Sequence, residues 1–134
     1  MIVVDSNILI AACLHGQLYS TAQQVIAKGV ALAAPHVWRY EVAQFVGKAA
    51  RAGKITVDQA EAAFLLAEST LHLEEEVADA IAIRESVRFV TSTSDAYFLS
   101  LAKAHRTILV TFDARLVRAA PSVAVGPEEY LRQD

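Results

Sequence analysis

Cysteine is almost missing from this chain: Cys13 is the only one among 134 residues. No internal disulfide can form, and a reducing, cytoplasmic setting is expected. No apolar run approaches the ~20 residues of a membrane helix. The N-terminus lacks the basic segment and long apolar stretch of a secretion signal, so no membrane association is expected. Charge is scarce at 20%, which gives no support to an extended surface ion-pair network. Positive charge is scarcer still, with 12 Lys and Arg against 15 Asp and Glu, net −3. A protein that holds nucleic acid by charge alone is usually basic. Such a role here would need bound cations or a local basic patch. Two divalent ions, adding four charges, would turn −3 into +1, which matters at a site but not across a surface. Internal repeats, low-complexity tracts and linkers rich in Pro, Gly or Ser are also lacking, so residues 1–134 read as one domain.

What the chain has is apolar content, 54% of it, enough for a sizeable core. Its organising stretch is the beginning. Ile2-Val3-Val4 is β-favouring and reads as a short buried strand. Asp5 ends that run, and Ile8 to Ala12 resumes as a helix behind it. Asp5 therefore stands where a central strand meets a helix, the place where open α/β sheets bind ligands. Asp, Ser and Asn also cap helices well, so Asp5 has a plain structural reading too.

Further along, a helix is predicted over Tyr19 to Lys28, stopped by Gly29. A strand over Val30 to Ala34 follows, then a long helix from His36 to Ala52 closed by Gly53. Val37, Val42, Phe45, Val46 and Ala49 suggest the apolar stripe of that helix. Glu41 lies on or beside this stripe. A carboxylate among apolar neighbours must be paired, metal-bound or neutralised; Arg39 and Lys48 are the nearby partners. Thr56 and Gln59 match a capping box. They open a helix to about Ser69 with a face of Ala60, Ala63, Phe64, Ala67 and Leu71. Leu71-His72-Leu73 suggests an edge strand. Glu74-Glu75-Glu76 then complements the dipole of a helix running through Ala78, Ala82 and Val87. Ser92 with Asp95 resembles another capping box, before an apolar helix from Ala96 to about His105. Thr107 to Thr111 is a buried strand, ended by Phe112-Asp113. A helix over Ala114 to Ala120, a short strand at Val123 to Val125, and a last turn at Pro127 to Leu131 complete the chain. Alternating strands and helices imply a three-layer α/β/α sandwich on a mainly parallel sheet of four to five strands.

Asp5 and Asp113 occupy equivalent places, each after an apolar strand and before a helix. Asp95 begins the helix leading to the Asp113 strand, and Glu41 projects from an early helix. Convergent carboxylates repel, so such a cluster calls for cations and raises at least one pKa. Mg²⁺ and Mn²⁺ prefer all-oxygen donors. His15, His36, His72 and His105 are scattered, and one cysteine makes no zinc site. An all-carboxylate site suits phosphodiester hydrolysis, in which a metal lowers the pKa of water and stabilises the leaving oxygen. Ser6, Asn7 and Thr111 can orient water or phosphate there, though capping explains Ser6 and Asn7 equally well. Lys48, Arg51 and Lys54 can track a backbone or simply form a solvated face.

Four stretches together resemble the PIN-domain ribonucleases: Val3-Val4-Asp5-Ser6-Asn7, Glu41-Val42, Asp95-Ala96-Tyr97 with Leu101-Ala102, and Val110-Thr111-Phe112-Asp113. The length and acid spacing are most similar to the VapC-type toxins of toxin–antitoxin pairs. One departure is visible: many members carry an aromatic residue just before the third Asp, where this chain has Ser94. The resemblance implies a Mg²⁺- or Mn²⁺-dependent endoribonuclease. Asp5 and Asp95 would be the principal metal ligands, with Glu41 and Asp113 completing the acidic pocket. It also implies a homodimer and a cognate antitoxin that blocks the groove.

Two other readings stay open. A haloacid-dehalogenase-type phosphatase also begins with an apolar strand ending in Asp, but needs a second Asp where Asn7 stands, and a nearby Lys. A non-catalytic module could bind RNA or protein through the same pocket, although all four acids are present.

Overall fold

The computed structural model describes residues 1–133. Its sheet is built from β1 (Ile2–Val4), β2 (Leu32–Pro35), β3 (Leu73–Glu75), β4 (Leu109–Val110) and β5 (Ala124–Val125). The strands pair in the order β3-β2-β1-β4-β5, every pair parallel. Between them run α1 (Ser6–Cys13), α2 (Tyr19–Ala27), α3 (Val37–Arg51), α4 (Val57–Thr70), α5 (Asp79–Phe89), α6 (Thr93–Ala104), α7 (Ala114–Ala119) and α8 (Pro127–Arg132). This is the α/β sandwich expected from the alternation of strands and helices.

Ile2, Val3 and Val4 are all buried, as a parallel strand covered on both faces requires. The helix α6 packs across β1, β2 and β4 with Phe98, Leu99 and Leu101 buried, and α5 covers α6. On another side, α1 packs against α2, α3 and α4. Gly29 and Gly53, at φ +75° and +73°, take the left-handed conformation that stops α2 and lets the chain turn after α3.

Several boundaries differ from the sequence reading, each for a pairing reason. β2 starts two residues late because its ladder with β1 begins at Ile2–Leu32. β3 covers Leu73–Glu75 rather than Leu71–Leu73, in register with Ala33, Ala34 and Pro35 of β2. Glu74 and Glu75 are therefore strand residues, and Asp79 occupies the first turn of α5 in place of the Glu74–Glu76 run. Charged residues suit that strand, which is the edge of the sheet.

On α3, Val42 and Val46 of the expected stripe are buried, and Trp38 joins them where Phe45 does not. These three are the buried line of the helix, spaced four apart. Trp38 is fully buried and stacks on Phe64, ring centroids 5.2 Å apart. Phe45, expected in the core, is 49% exposed. Val87 of α5 is exposed as well.

Candidate active site

The strand order reverses at the centre of the sheet. The chain passes from β1 outward through β2 to β3, and later fills the other side with β4 and β5. The crevice beyond the carboxyl ends of β1 and β4 is thus the topological switch point, where such sheets bind ligands. Asp5 follows β1, and Thr111, Phe112 and Asp113 follow β4. One pocket of about 390 Å³ is lined by Asp5, Glu41, Asp95 and Asp113, together with Asn7 and Lys48 among others. All four acids expected at a site therefore reach one pocket.

Asp5 is 7% exposed. It caps α1, one oxygen accepting from the Ser6 amide at 2.7 Å. Its other oxygen accepts from the Thr111 hydroxyl at 2.6 Å and from Asn7 Nδ2 at 3.3 Å. Burial pushes its pKa up to about 7 against the helping Thr111 bond, and the Asp95 and Glu41 charges add to the rise. Thr111 is itself held: its oxygen accepts from the Asp113 amide at 3.0 Å and from Asn7 Nδ2 at 3.2 Å. Asn7 Oδ1 in turn accepts from the Phe112 amide at 3.2 Å. The β1 and β4 ends are laced together by side chains from both.

Glu41 reaches the pocket from α3. It finds neither Arg39 nor Lys48, the partners the sequence offered. Two hydroxyls hold it instead: Ser6 donates to Oε1 at 2.7 Å and Ser94 to Oε2 at 2.6 Å. Asp95 stands in the first turn of α6, whose cap is Ser92, accepting from the Asp95 amide at 3.0 Å. Its carboxylate is therefore free of capping duty and accepts from the Thr91 hydroxyl at 3.2 Å. Val90, at φ 53°, makes the turn into this segment in a conformation that β-branched residues rarely adopt. Asp113 caps α7 through one oxygen, which accepts from the Arg115 and Leu116 amides.

Among the described residues no ion pair neutralises Asp5, Glu41 or Asp95, and Asp113 meets only the loosely placed Arg115 at 3.9 Å. Nor do any three Asp, Glu, His or Cys side chains among them converge tightly enough to cage an ion alone. The acids line a pocket, and each carboxylate accepts from a hydroxyl or a backbone amide. Such a loose, all-oxygen set fits Mg²⁺ or Mn²⁺ better than zinc. Mg²⁺ keeps several waters and needs only one or two direct carboxylates.

Sequence reasoning left Ser6, Asn7 and Thr111 without settled roles and noted Ser94 only as a departure from a pattern. All four carry hydrogen bonds to the acids. The signal for Ser94 was its place beside Asp95. That for Thr111 was a polar residue at the end of a buried strand.

No curated protein matches the chain. Among solved structures it is similar to PAE2754 from Pyrobaculum aerophilum, at 23% identity and TM-score 0.78, over 96% of this chain and 92% of that one. It is also similar to VapBC2 from Rickettsia felis, bound to a DNA fragment from its promoter, at 18% identity and TM-score 0.69, over 94% and 98%. A third is a toxin–antitoxin complex from Klebsiella pneumoniae, at 22% identity and TM-score 0.70, over 95% and 98%. Residues 2–121 match the PIN domain family, a span that runs from the first strand past every acid of the pocket, and the chain belongs to that family.

Proposed function

We propose that the protein is a divalent-metal-dependent endoribonuclease and the toxin of a toxin–antitoxin pair, acting as a homodimer and restrained by a cognate antitoxin. The observation that carries the nuclease reading is the set of four acids from distant parts of the chain lining one switch-point pocket. The likeness to the Rickettsia felis and Klebsiella pneumoniae structures supports the toxin reading. No helix among the described residues is long and apolar enough to cross a membrane.

In this reading Asp5 and Asp95 would be the principal ligands of Mg²⁺ or Mn²⁺, and Glu41 and Asp113 would complete the acidic pocket. When bound, the ion supplies acidified water and offsets charge on the phosphate. The remaining work belongs to the chain. Thr111 and Asn7 fix one oxygen of Asp5, while the Ser6 amide fixes the other. Ser6 and Ser94 hold both oxygens of Glu41, so that its charge stays over the pocket. Oriented carboxylates position water for in-line attack without the cost of rearranging at the moment of reaction. The phosphatase alternative is disfavoured because Asn7 cannot serve as a second acid. It is tied to Asp5, Thr111 and the Phe112 amide.

The test is cleavage of an end-labelled single-stranded RNA by purified protein in Mn²⁺, in Mg²⁺ and in EDTA. Cleavage with either ion and none in EDTA is expected. Protein that binds this RNA but leaves it intact with both ions would return the pocket to the non-catalytic reading.

A further inference from the structure

Glu41, Phe45 and Lys48 lie at i, i+4 and i+7 on α3, one line of the helix next to its buried line. Glu41 turns into the acid pocket, and Phe45 and Lys48 form part of the same pocket's wall. Phe45 is thus a half-exposed aromatic ring beside the carboxylates, where the core has no use for it. Asp95 and Asp113 also line a second depression, of about 790 Å³, together with Thr91, Ser92 and Arg115. The two adjoin at these acids, with Lys48 and Phe45 in the wall of one and Arg115 in that of the other, and together they offer a trough for a strand.

Charge alone holds a strand poorly in this trough. Two cations give two phosphate contacts, each worth a salt slope of only ~0.7 on a single strand, and the chain as a whole is at −3. An aromatic platform supplies what charge does not. Each base stacked on one strengthens binding by roughly 5- to 150-fold, and only an unpaired base offers its face.

Resting on the ribonuclease reading, we propose that Phe45 is the stacking platform for an unpaired RNA base beside the scissile phosphate, with Lys48 and Arg115 contacting phosphates on the two sides of the acids.

The experiment compares wild type with Phe45→Ala, Phe45→Trp and Phe45→Leu, each checked for an unchanged melting temperature. Binding of a fluorescein-labelled 2′-O-methyl RNA, as single strand and as duplex, is followed by anisotropy in Ca²⁺, and KM and kcat are measured in Mn²⁺. Phe45→Ala is expected to weaken single-strand binding about tenfold and to raise KM by a similar factor. Duplex binding should not change. Phe45→Trp should restore the loss and Phe45→Leu should not. Lys48→Ala and Arg115→Ala should each flatten the salt dependence by ~0.7. If Phe45→Ala binds the single strand as tightly as wild type, or Phe45→Leu restores it fully, the ring is only an apolar contact, such as one covered by a protein partner, and the proposal fails. Wild type that cuts no RNA would instead overturn the ribonuclease reading, while the anisotropy arm still decides the platform.

Discussion

Arg39 and Glu41 are two residues apart on α3, and they belong to opposite electrostatic worlds. Arg39 donates to both oxygens of Glu74, at 2.7 and 2.8 Å, and reaches Glu68 at 2.7 Å; His36 adds a bond of 2.8 Å to Glu74. The Arg39 hydrogen bonds hold the Glu74 carboxyl down at about 2. On the other side of the same helix, Glu41 is held by hydroxyls that carry no charge, and its neighbour Asp5 is pushed up to about 7. Both clusters satisfy their hydrogen bonds, so a shortage of donors does not separate them. The charge of the donor does. Where acids serve only to tie α3 to α4 and the edge strand, the chain supplies an arginine. Where they line the switch-point crevice, it supplies neutral donors and leaves the negative charge unspent. That is the character the proposed cation site requires, since carboxylates left uncompensated repel one another.

The sharpest way to break this contrast is to remove one charge from the crevice. Asp5→Asn should reduce RNA cleavage in Mn²⁺ to background while keeping or raising metal-free stability at pH 8, because a repelling, desolvated charge is gone. A metal-free variant melting well below wild type at pH 8 would mean that Asp5 is there for its hydrogen bonds, not its charge.

The next effect is in the pH dependence of the metal-free protein, where the two clusters act with opposite sign. Asp5 has a folded pKa above its ordinary 3.8, so the folded state keeps a proton that the unfolded chain has released. Its contribution is full below about pH 4 and is lost as pH rises through about 7. The loss is bounded near 4 kcal/mol, about three pK units at 1.36 each. Glu74 works the other way, stabilising above its ordinary 4.5 and losing that support as pH falls toward 2. Urea titrations in EDTA from pH 3 to 9 should therefore show a maximum near pH 4 to 5. The alkaline limb should flatten in Asp5→Asn and on adding Mn²⁺. An alkaline limb that is already flat in wild type would remove the electrostatic distinction between the clusters.

How much of this was legible in the sequence follows from the range of each force. Strand and helix identities came from local patterns: Ile2-Val3-Val4, the Thr56–Gln59 capping box and the apolar α6 all stand as read. The acids were legible because a carboxylate that interrupts an apolar pattern is costly wherever it lands. What could not be read was side-chain partnership across the fold. Arg39 was the nearest cation to Glu41 in sequence, yet two residues is about 200° of helix, and it faces Glu74 instead. The exchange of Phe45 for Trp38 in the α3 stripe had the same origin. Trp38 and Phe45 both suit an apolar face, and only packing against Phe64 decided for Trp38. The Glu74–Glu76 run read equally well as a helix start, because strand register is fixed by β2, some forty residues away.

A smaller effect sharpens the neutral half of the comparison. Ser94→Ala removes one of the two hydroxyls on Glu41 and leaves Ser6 in place. Partners that orient metal-ligating side chains are worth 10- to 100-fold, and with one of two retained the expected loss in kcat/KM is about tenfold. Mn²⁺ affinity, read by titration calorimetry, should weaken alongside. Ser94→Thr keeps the hydroxyl and should recover most of both. Equal losses in the Ala and Thr variants would assign Ser94 to packing.

The smallest effect tests the charged half. Arg39→Ala leaves Glu68 and Glu74 without their cation and removes a guanidinium 5.1 Å from the Trp38 ring. The pairs are partly exposed, with the Arg39 side chain 42% open to solvent, so screening limits the cost to about 1 kcal/mol. Melting should fall by a few degrees, and the acid limb of the pH profile should become shallower. Lysine cannot reproduce the two-pronged contact with Glu74, so Arg39→Lys should fall between wild type and alanine. RNA cleavage should be unchanged in both variants, since Arg39 faces away from Glu41 and forms no bond with any pocket acid among the described residues. Should Arg39→Ala lower kcat/KM more than its small stability loss explains, α3 would be transmitting strain from one cluster to the other, and they would have to be treated as a single charge network spanning the helix.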